Sequence, residues 1–254
     1  EFKEIVRHDA SPVESQGRTG TCWSFSALSF LESEIMRVNK TDKPIVLSEM
    51  FIVRKAYEAK AKKYIRMDGR TNFGQGGAFH DIPYVIKNYG IVPQNVYTGL
   101  KKKSDTYNHS EMFNKLNEIV SNAKSEGKGI QQSWVESYNK VLDENIGELP
   151  ETFKFKGEKY TSQSFYKSLG IDMDDYLSIT SFTNHPMYSK CMLEIPDNWL
   201  WDESYNVSVD EMYETVLHAL KSGYTIAWGA DVSEKGFSFK NGLAIVPLKK
   251  EKIV

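Results

Sequence analysis

The sequence predicts an α+β fold. Three observations carry that prediction: apolar residues recur at helical spacing through the first third, β-rich runs come late, and a more polar stretch separates them. With 254 residues, 40% of them apolar and 26% charged, the chain is long enough for a sizeable core. Lys and Arg total 32 against 34 Asp and Glu, a formal charge of −2, which argues against a basic nucleic-acid surface or an acidic tail. The lysine groups Lys101-Lys102-Lys103 and Lys249-Lys250 are short enough to be solvated loops. No run approaches the roughly 20 apolar residues of a membrane helix. No basic and apolar leader is visible at Glu1-Phe2-Lys3, as would also hold for a chain already processed.

The elements follow in order. From Ser24 to Arg37, Ala27, Leu28, Leu31, Ile35 and Met36 fall at helical spacing. A second helix opens at Leu47-Ser48-Glu49-Met50, with Ser48 as its cap and Met50, Phe51, Val53 and Tyr57 on one side. A glycine-rich loop from Gly69 to Gly77 leads to a third helix around Ile82, Val85, Ile86 and Tyr89, closed by Gly90. Tyr107 to Ala123 is a further helix candidate within the polar stretch. Val209 to Leu220 is amphipathic, with Met212, Val216 and Leu220 on one face and Gly223 closing it. Tyr224 to Trp228 and Leu243 to Pro247 read as strands.

The stretch that carries chemistry runs from Pro12 to Phe25. Cys22 stands where a glycine-containing turn becomes a helix. Unpaired N–H groups and the helix dipole at such a place favour a negatively charged sulfur, as a nucleophile requires. Position alone fits a buried, inert cysteine as well. The neighbours decide otherwise: Gln16 precedes Cys22 and Trp23 follows it directly.

This segment resembles the active-site region of papain-like cysteine peptidases, in which a glutamine, a glycine loop, the cysteine and a tryptophan occur in that order. Leu47-Ser48-Glu49, Gln75-Gly76-Gly77 and Tyr89-Gly90-Ile91-Val92-Pro93 resemble further segments of the family, in its order. The resemblance implies Cys22 as nucleophile, with Gln16 and the Cys22 N–H holding the oxyanion. Gly76 and Gly77 become the strip along which substrate backbone lies, beside Trp23. Thr19 and Gly74 stand where many secreted members carry a disulfide. That departure, a long insertion after the third helix and the stretch Val207 to Val232 are similar to the branch of bleomycin hydrolase and bacterial aminopeptidase C.

The implied architecture is a papain-like fold with a long insertion. Residues 1–99 form the helical part with the nucleophile, 100–200 the insertion, and 201–254 the start of an incomplete β-rich part. The implied activity is hydrolysis of peptide bonds through an acyl-enzyme, with single residues removed from the N-terminus. Alternatives are a papain-like endopeptidase, a non-catalytic binding module of the same fold, and another acyl transfer on that scaffold. The expected partner is a peptide substrate, with no cofactor, metal, nucleic acid or membrane, and the branch adds a homo-oligomer, a hexamer by analogy. Two cysteines, Cys22 and Cys191, make no disulfide framework and favour a reducing compartment, the cytoplasm.

A general base is missing. The papain spacing puts a histidine roughly 130–150 residues past the cysteine, and none falls there. His185 is nearest, in Phe182-Thr183-Asn184-His185-Pro186, which reads as a turn. His218 sits on the amphipathic helix, His80 just past the glycine strip, and His8 and His109 in polar surroundings. The run Tyr224 to Val232 resembles the strand preceding the family's catalytic histidine, so that histidine and the later Asn-Ser-Trp-Gly run are expected beyond Val254. Trp199 and Trp201 read as packing residues about a turn. The sequons at Asn39, Asn108 and Asn206 occur at chance level.

Overall fold

The computed structural model describes residues 3–102, 105–125, 127, 132–233 and 236–245. Helix α1 (Cys22–Asn39) is the central one. It is buried nearly all round, with Trp23, Phe25, Leu28, Leu31 and Ile35 among its core residues. A helix with no solvent face behaves as a core element. Buried polar groups on it therefore need partners. Glu32 accepts the Leu47 N–H at 2.7 Å, and the Ser24 hydroxyl donates to the Glu49 carbonyl at 3.1 Å.

Helix α2 (Glu49–Arg66) begins where expected, because the Ser48 hydroxyl accepts the Phe51 N–H at 3.1 Å. Helix α3 (Asp81–Tyr89) ends at Gly90, whose φ of 77° lies in the region that favours glycine. Leu28, Ile52, Tyr57, Ile82 and Ile86 meet in one cluster with α1. Each such side chain contributes about 1.5–3 kcal/mol on burial.

Helix α4 (Ser110–Ser125) matches the candidate at Tyr107 to Ala123, starting slightly later. Helix α5 (Gln132–Ile146) was not anticipated. Its signal is present all the same: Trp134, Tyr138, Leu142 and Ile146 are buried at a four-residue spacing. Arg54 of α2 fastens α5 by an ion pair with Asp143 at 2.6 Å and a hydrogen bond to the Gly147 carbonyl at 2.6 Å. The Tyr138 hydroxyl donates to the Tyr57 carbonyl at 2.9 Å.

A hairpin of β1 (Phe153–Phe155) and β2 (Glu158–Tyr160) follows, then α6 (Ser162–Ser168) and a short 3₁₀ turn, Met173–Asp175. A small mixed sheet joins β3 (Ile179–Thr180), β4 (Ser189–Met192) and β5 (Glu203–Asn206) in the order β3-β5-β4. β5 runs parallel to β3, with Ile179 opposite Tyr205, and antiparallel to β4, with Cys191 opposite Ser204. Asn206 is buried and donates to the carbonyls of Phe182, His185 and Pro186. Its sequon therefore serves packing.

Helix α7 (Val209–Lys221) carries a capping box of Ser208 and Glu211 and has no buried residue. The strand expected from Tyr224 to Trp228 is absent. A strand exists only within a ladder, and among the described residues none pairs with this run. β6 (Phe237–Ser238) and β7 (Leu243–Ala244) form a two-stranded ladder. The rest of the expected strand, Val246 and Pro247, lies outside the described residues, as do Lys103, Lys249 and Lys250. Among the described residues no helix is long and apolar enough to cross a membrane.

Candidate active site

Cys22 is exposed at the first turn of α1, whereas Cys191 is buried in β4. Thr21, the residue before the helix, makes no capping bond to it. Its hydroxyl lies instead 2.5 Å from that of Thr19. Among the described residues the Cys22 amide N–H has no acceptor. An exposed thiol therefore sits beside an unspent donor at the positive end of a buried helix.

The loop before it is held in place by its own side chains and by a neighbouring segment. Gln16 donates one amide hydrogen to the Thr19 carbonyl at 2.7 Å. The Thr19 hydroxyl returns a bond to the Gln16 carbonyl at 2.9 Å. A side-chain amide carries two hydrogens, so the second remains uncommitted. Gly17 has φ 59°, and a side chain there would stand 2.6 Å from the Tyr107 carbonyl, which also accepts the Arg18 N–H at 2.7 Å.

The glycine strip is tied to this loop at two points. Gln75 accepts the Gly20 N–H on its side-chain oxygen at 3.0 Å and the Trp23 indole N–H on its carbonyl at 3.1 Å. The structure thus brings Cys22, Gln16, Trp23, Gly76 and Gly77 into one neighbourhood. It also shows an inward reason for the glycines. A side chain on Gly76 would collide with the Asp197 carboxylate, and one on Gly77 would come 2.6 Å from Asp81 and 2.8 Å from the Trp23 ring.

Beneath the strip lies a buried charged cluster that residue spacing does not single out. Lys60 of α2 donates to the Gly76 carbonyl, reaches the Gly74 carbonyl at 3.5 Å, and pairs with Asp81 at 3.8 Å. Asp81 accepts the Trp199 indole N–H at 2.8 Å. Asn72 donates to Asp197 at 3.2 Å. Burial raises the Asp81 carboxyl to about 7, against the pull of Lys60 and the Trp199 bond. Burial likewise lowers the Lys60 ammonium below its ordinary value, opposed by Asp81 and Asp197. Lys60 leaves one trace in the sequence, a lysine continuing the apolar row of Val53 and Tyr57. Asp197 leaves none, because it arrives from far along the chain.

None of the five histidines in the sequence bonds to Cys22. His8 donates from Nε2 to the Leu220 carbonyl at 2.7 Å. His80 heads α3, its imidazole held below the ordinary value by burial and partly restored by Asp202. His109 is not in polar surroundings: it is buried against Tyr57, with its imidazole lowered by burial to about 4. The reason is that the helix α4 that it precedes packs its apolar face onto α2, with Phe113 against Tyr57. His185 lies in a turn, and His218 is exposed on α7. Trp199 is buried, whereas Trp201 is 47% exposed beneath the Lys63 ammonium.

Comparison with known proteins gives a consistent picture. A family model described as "Peptidase C1-like family" matches residues 1–252. The chain is 24% identical to an aminopeptidase C of Lactococcus lactis subsp. lactis (strain IL1403), over 88% of this chain and 59% of that protein. It is 24% identical to the bleomycin hydrolase of Mus musculus, over 96% of this chain and 63% of that protein. The crystal structure of PepW from Lactobacillus rhamnosis HN001 superposes with a TM-score of 0.70 at 21% identity, covering 86% of this chain and 58% of that one. The fold is that of the papain-like peptidases, α+β as expected. The chain spans about three fifths of the length of the curated relatives that it matches.

Proposed function

The chain belongs to the Peptidase C1-like family, and from that premise we propose that it carries the nucleophile half of a cysteine aminopeptidase. The observation that supports this best is the exposed Cys22 at the head of a buried helix, with the unspent Cys22 N–H and the Gln16 amide in the preceding loop. In this reading the Cys22 sulfur attacks the carbonyl carbon of the bond to be cut. The carbonyl oxygen becomes an oxyanion held by Gln16 and the Cys22 N–H, usually the largest single catalytic contribution. The C–N bond breaks, the leaving amine takes the proton drawn from the thiol, and water hydrolyses the thioester. The peptide backbone lies along Gly76 and Gly77, with Trp23 behind them.

The proton carrier is a histidine, and none of the five bonds to Cys22. It is expected beyond Val254. The same observation is what favours a non-catalytic binding module. The two exposed or buried single cysteines support a reducing compartment, the cytoplasm, and the family branch supports a homo-oligomer, a hexamer by analogy.

The test uses the protein extended to include that histidine, with peptides that differ only in a free or acetylated N-terminus. Single residues should be released from the free peptides, and the acetylated ones spared. Efficient internal cleavage of the acetylated peptide identifies an endopeptidase instead. Tight binding without cleavage of either identifies the binding module.

A further inference from the structure

Each carbonyl of the Gly74 to Gly76 backbone accepts a side-chain hydrogen bond. Lys60 donates to the carbonyls of Gly74 and Gly76, and the Trp23 indole N–H donates to that of Gln75. No peptide bond among the described residues is cis. In a trans peptide unit the carbonyl of one residue and the N–H of the next point in opposite directions. The Gly76 carbonyl, bonded to the buried Lys60, therefore turns the Gly77 N–H away from Lys60. Among the described residues none of the Gln75, Gly76 and Gly77 N–H groups has an acceptor.

We propose that Lys60 is a positioning residue of the substrate strip: its ammonium fixes which way the peptide planes face, and so presents the Gly77 N–H to a carbonyl of the bound peptide. Lys60 suits this role because its own freedom has been removed. Its side chain is 1% exposed, lies 5.3 Å from the Trp23 ring and 5.9 Å from the Trp199 ring, and is paired with Asp81. Trp199 in turn holds Asp81, so a residue of the polar middle stretch braces the strip tied to the Gly20 and Trp23 segment.

A buried lysine paired with an aspartate could serve stability alone, and replacing such a pair by apolar residues is often tolerated. A stability role leaves the direction of the Gly76–Gly77 peptide plane free. A positioning role ties it to the charge. The inference rests on the cysteine-peptidase reading, since its readout is Cys22 chemistry.

The experiment uses two dipeptidyl chloromethyl ketones that alkylate Cys22 and differ in one linkage. One has an ester between its residues, which keeps the carbonyl acceptor. The other has a trans-alkene, which removes it. Iodoacetamide, which needs no strip, serves as the control. In the wild-type chain the ester probe should label Cys22 up to about tenfold faster than the alkene probe, the worth of one hydrogen bond. In Lys60→Met, paired with Asp81→Asn so that the fully buried carboxylate is not stranded while half-buried Asp197 keeps its Asn72 donor, the two probes should label at equal rates. The iodoacetamide rate at Cys22 should stay within about twofold, given that the bonds of Lys60 go to Gly74, Gly76 and Asp81 and not to Cys22.

A ratio near one in the wild-type chain overturns the proposal, whichever variant folds. So does the wild-type ratio persisting in the variant. If the double variant does not fold, shown by Cys191 becoming as reactive as Cys22, Lys60→Gln takes its place; it keeps a donor, and its ratio should lie between those two limits. Labelling of Cys22 by iodoacetamide but by neither peptidyl probe sinks the peptidase reading, and the role of Lys60 with it.

Discussion

At the residue scale, the site depends on how few of its hydrogen atoms are committed. Gln16 donates one amide hydrogen to the Thr19 carbonyl and keeps one; the Cys22 N–H keeps its own. A donor already in place, with no reorganisation left to make, acts on the transition state more than on the ground state. In the extended, active protein, Gln16→Ala should therefore lower kcat by about 10²–10³-fold and leave KM nearly unchanged. Steady-state kinetics on a free-amino peptide measures both. An unchanged kcat would mean that other groups hold the oxyanion. Cys22, Gln16 and Trp23 were legible in the sequence because they lie close together along the chain, where local order is preserved in space. Lys60, Asp81 and Asp197 were not, because only the folded chain brings three separate segments under one strip.

At the element scale, the junction of α1 and α2 buries carboxyl groups close to one another. Glu49 opens α2 with almost no exposure and lies near Glu32 of α1 and Glu14 of the preceding loop. Burial, with those two acids adding to it, raises Glu49 from the ordinary 4.5 to about 8. The folded chain thus keeps a proton that the unfolded chain has lost between those values. Stability from this group is complete below the ordinary value and falls as pH rises toward 8, by up to about 1.4 kcal/mol per pH unit. Glu49→Gln, which stays neutral, should remove that decline. The check is Tm of both proteins from pH 5 to pH 8: the variant should gain on the wild type as pH rises. Asp81 titrates in the same range but is common to both and cancels. A constant difference in Tm would show that Glu49 is ionised throughout. The helices themselves were legible from apolar spacing and from the caps at Ser48 and Gly90. Helix α5 carried the same four-residue spacing, and its polar surroundings hid it.

At the scale of the whole molecule, the helical body is well packed and the late segments are not. Tyr224, Ile226, Trp228 and Val232 lie in an unpaired run, with Trp228 76% exposed. None of α7 is buried. The expected strand fails there because a ladder partner is not among the described residues, and none of the five histidines bonds to Cys22, the base being expected beyond Val254. The 254-residue chain by itself should hydrolyse no peptide, and His185→Ala should change nothing. Peptidase activity in the isolated chain that disappears in His185→Ala would make His185 the base.

The sequence by itself determined the fold class, the helix boundaries near their caps, and the loop that carries Cys22 and Gln16. These depend on periodicity, capping chemistry and neighbours along the chain, all of which act over a few residues. Tertiary structure alone decided that α1 is buried nearly all round, that His109 packs against the Tyr57 ring, and that the Gly76 and Gly77 side-chain positions are closed from within by Asp197, Asp81 and Trp23. It also decided that a lysine on α2 takes the carbonyls of the strip. The physical reason is that burial of charge and the pairing of backbone groups are settled by contacts between distant segments, and no local pattern records them.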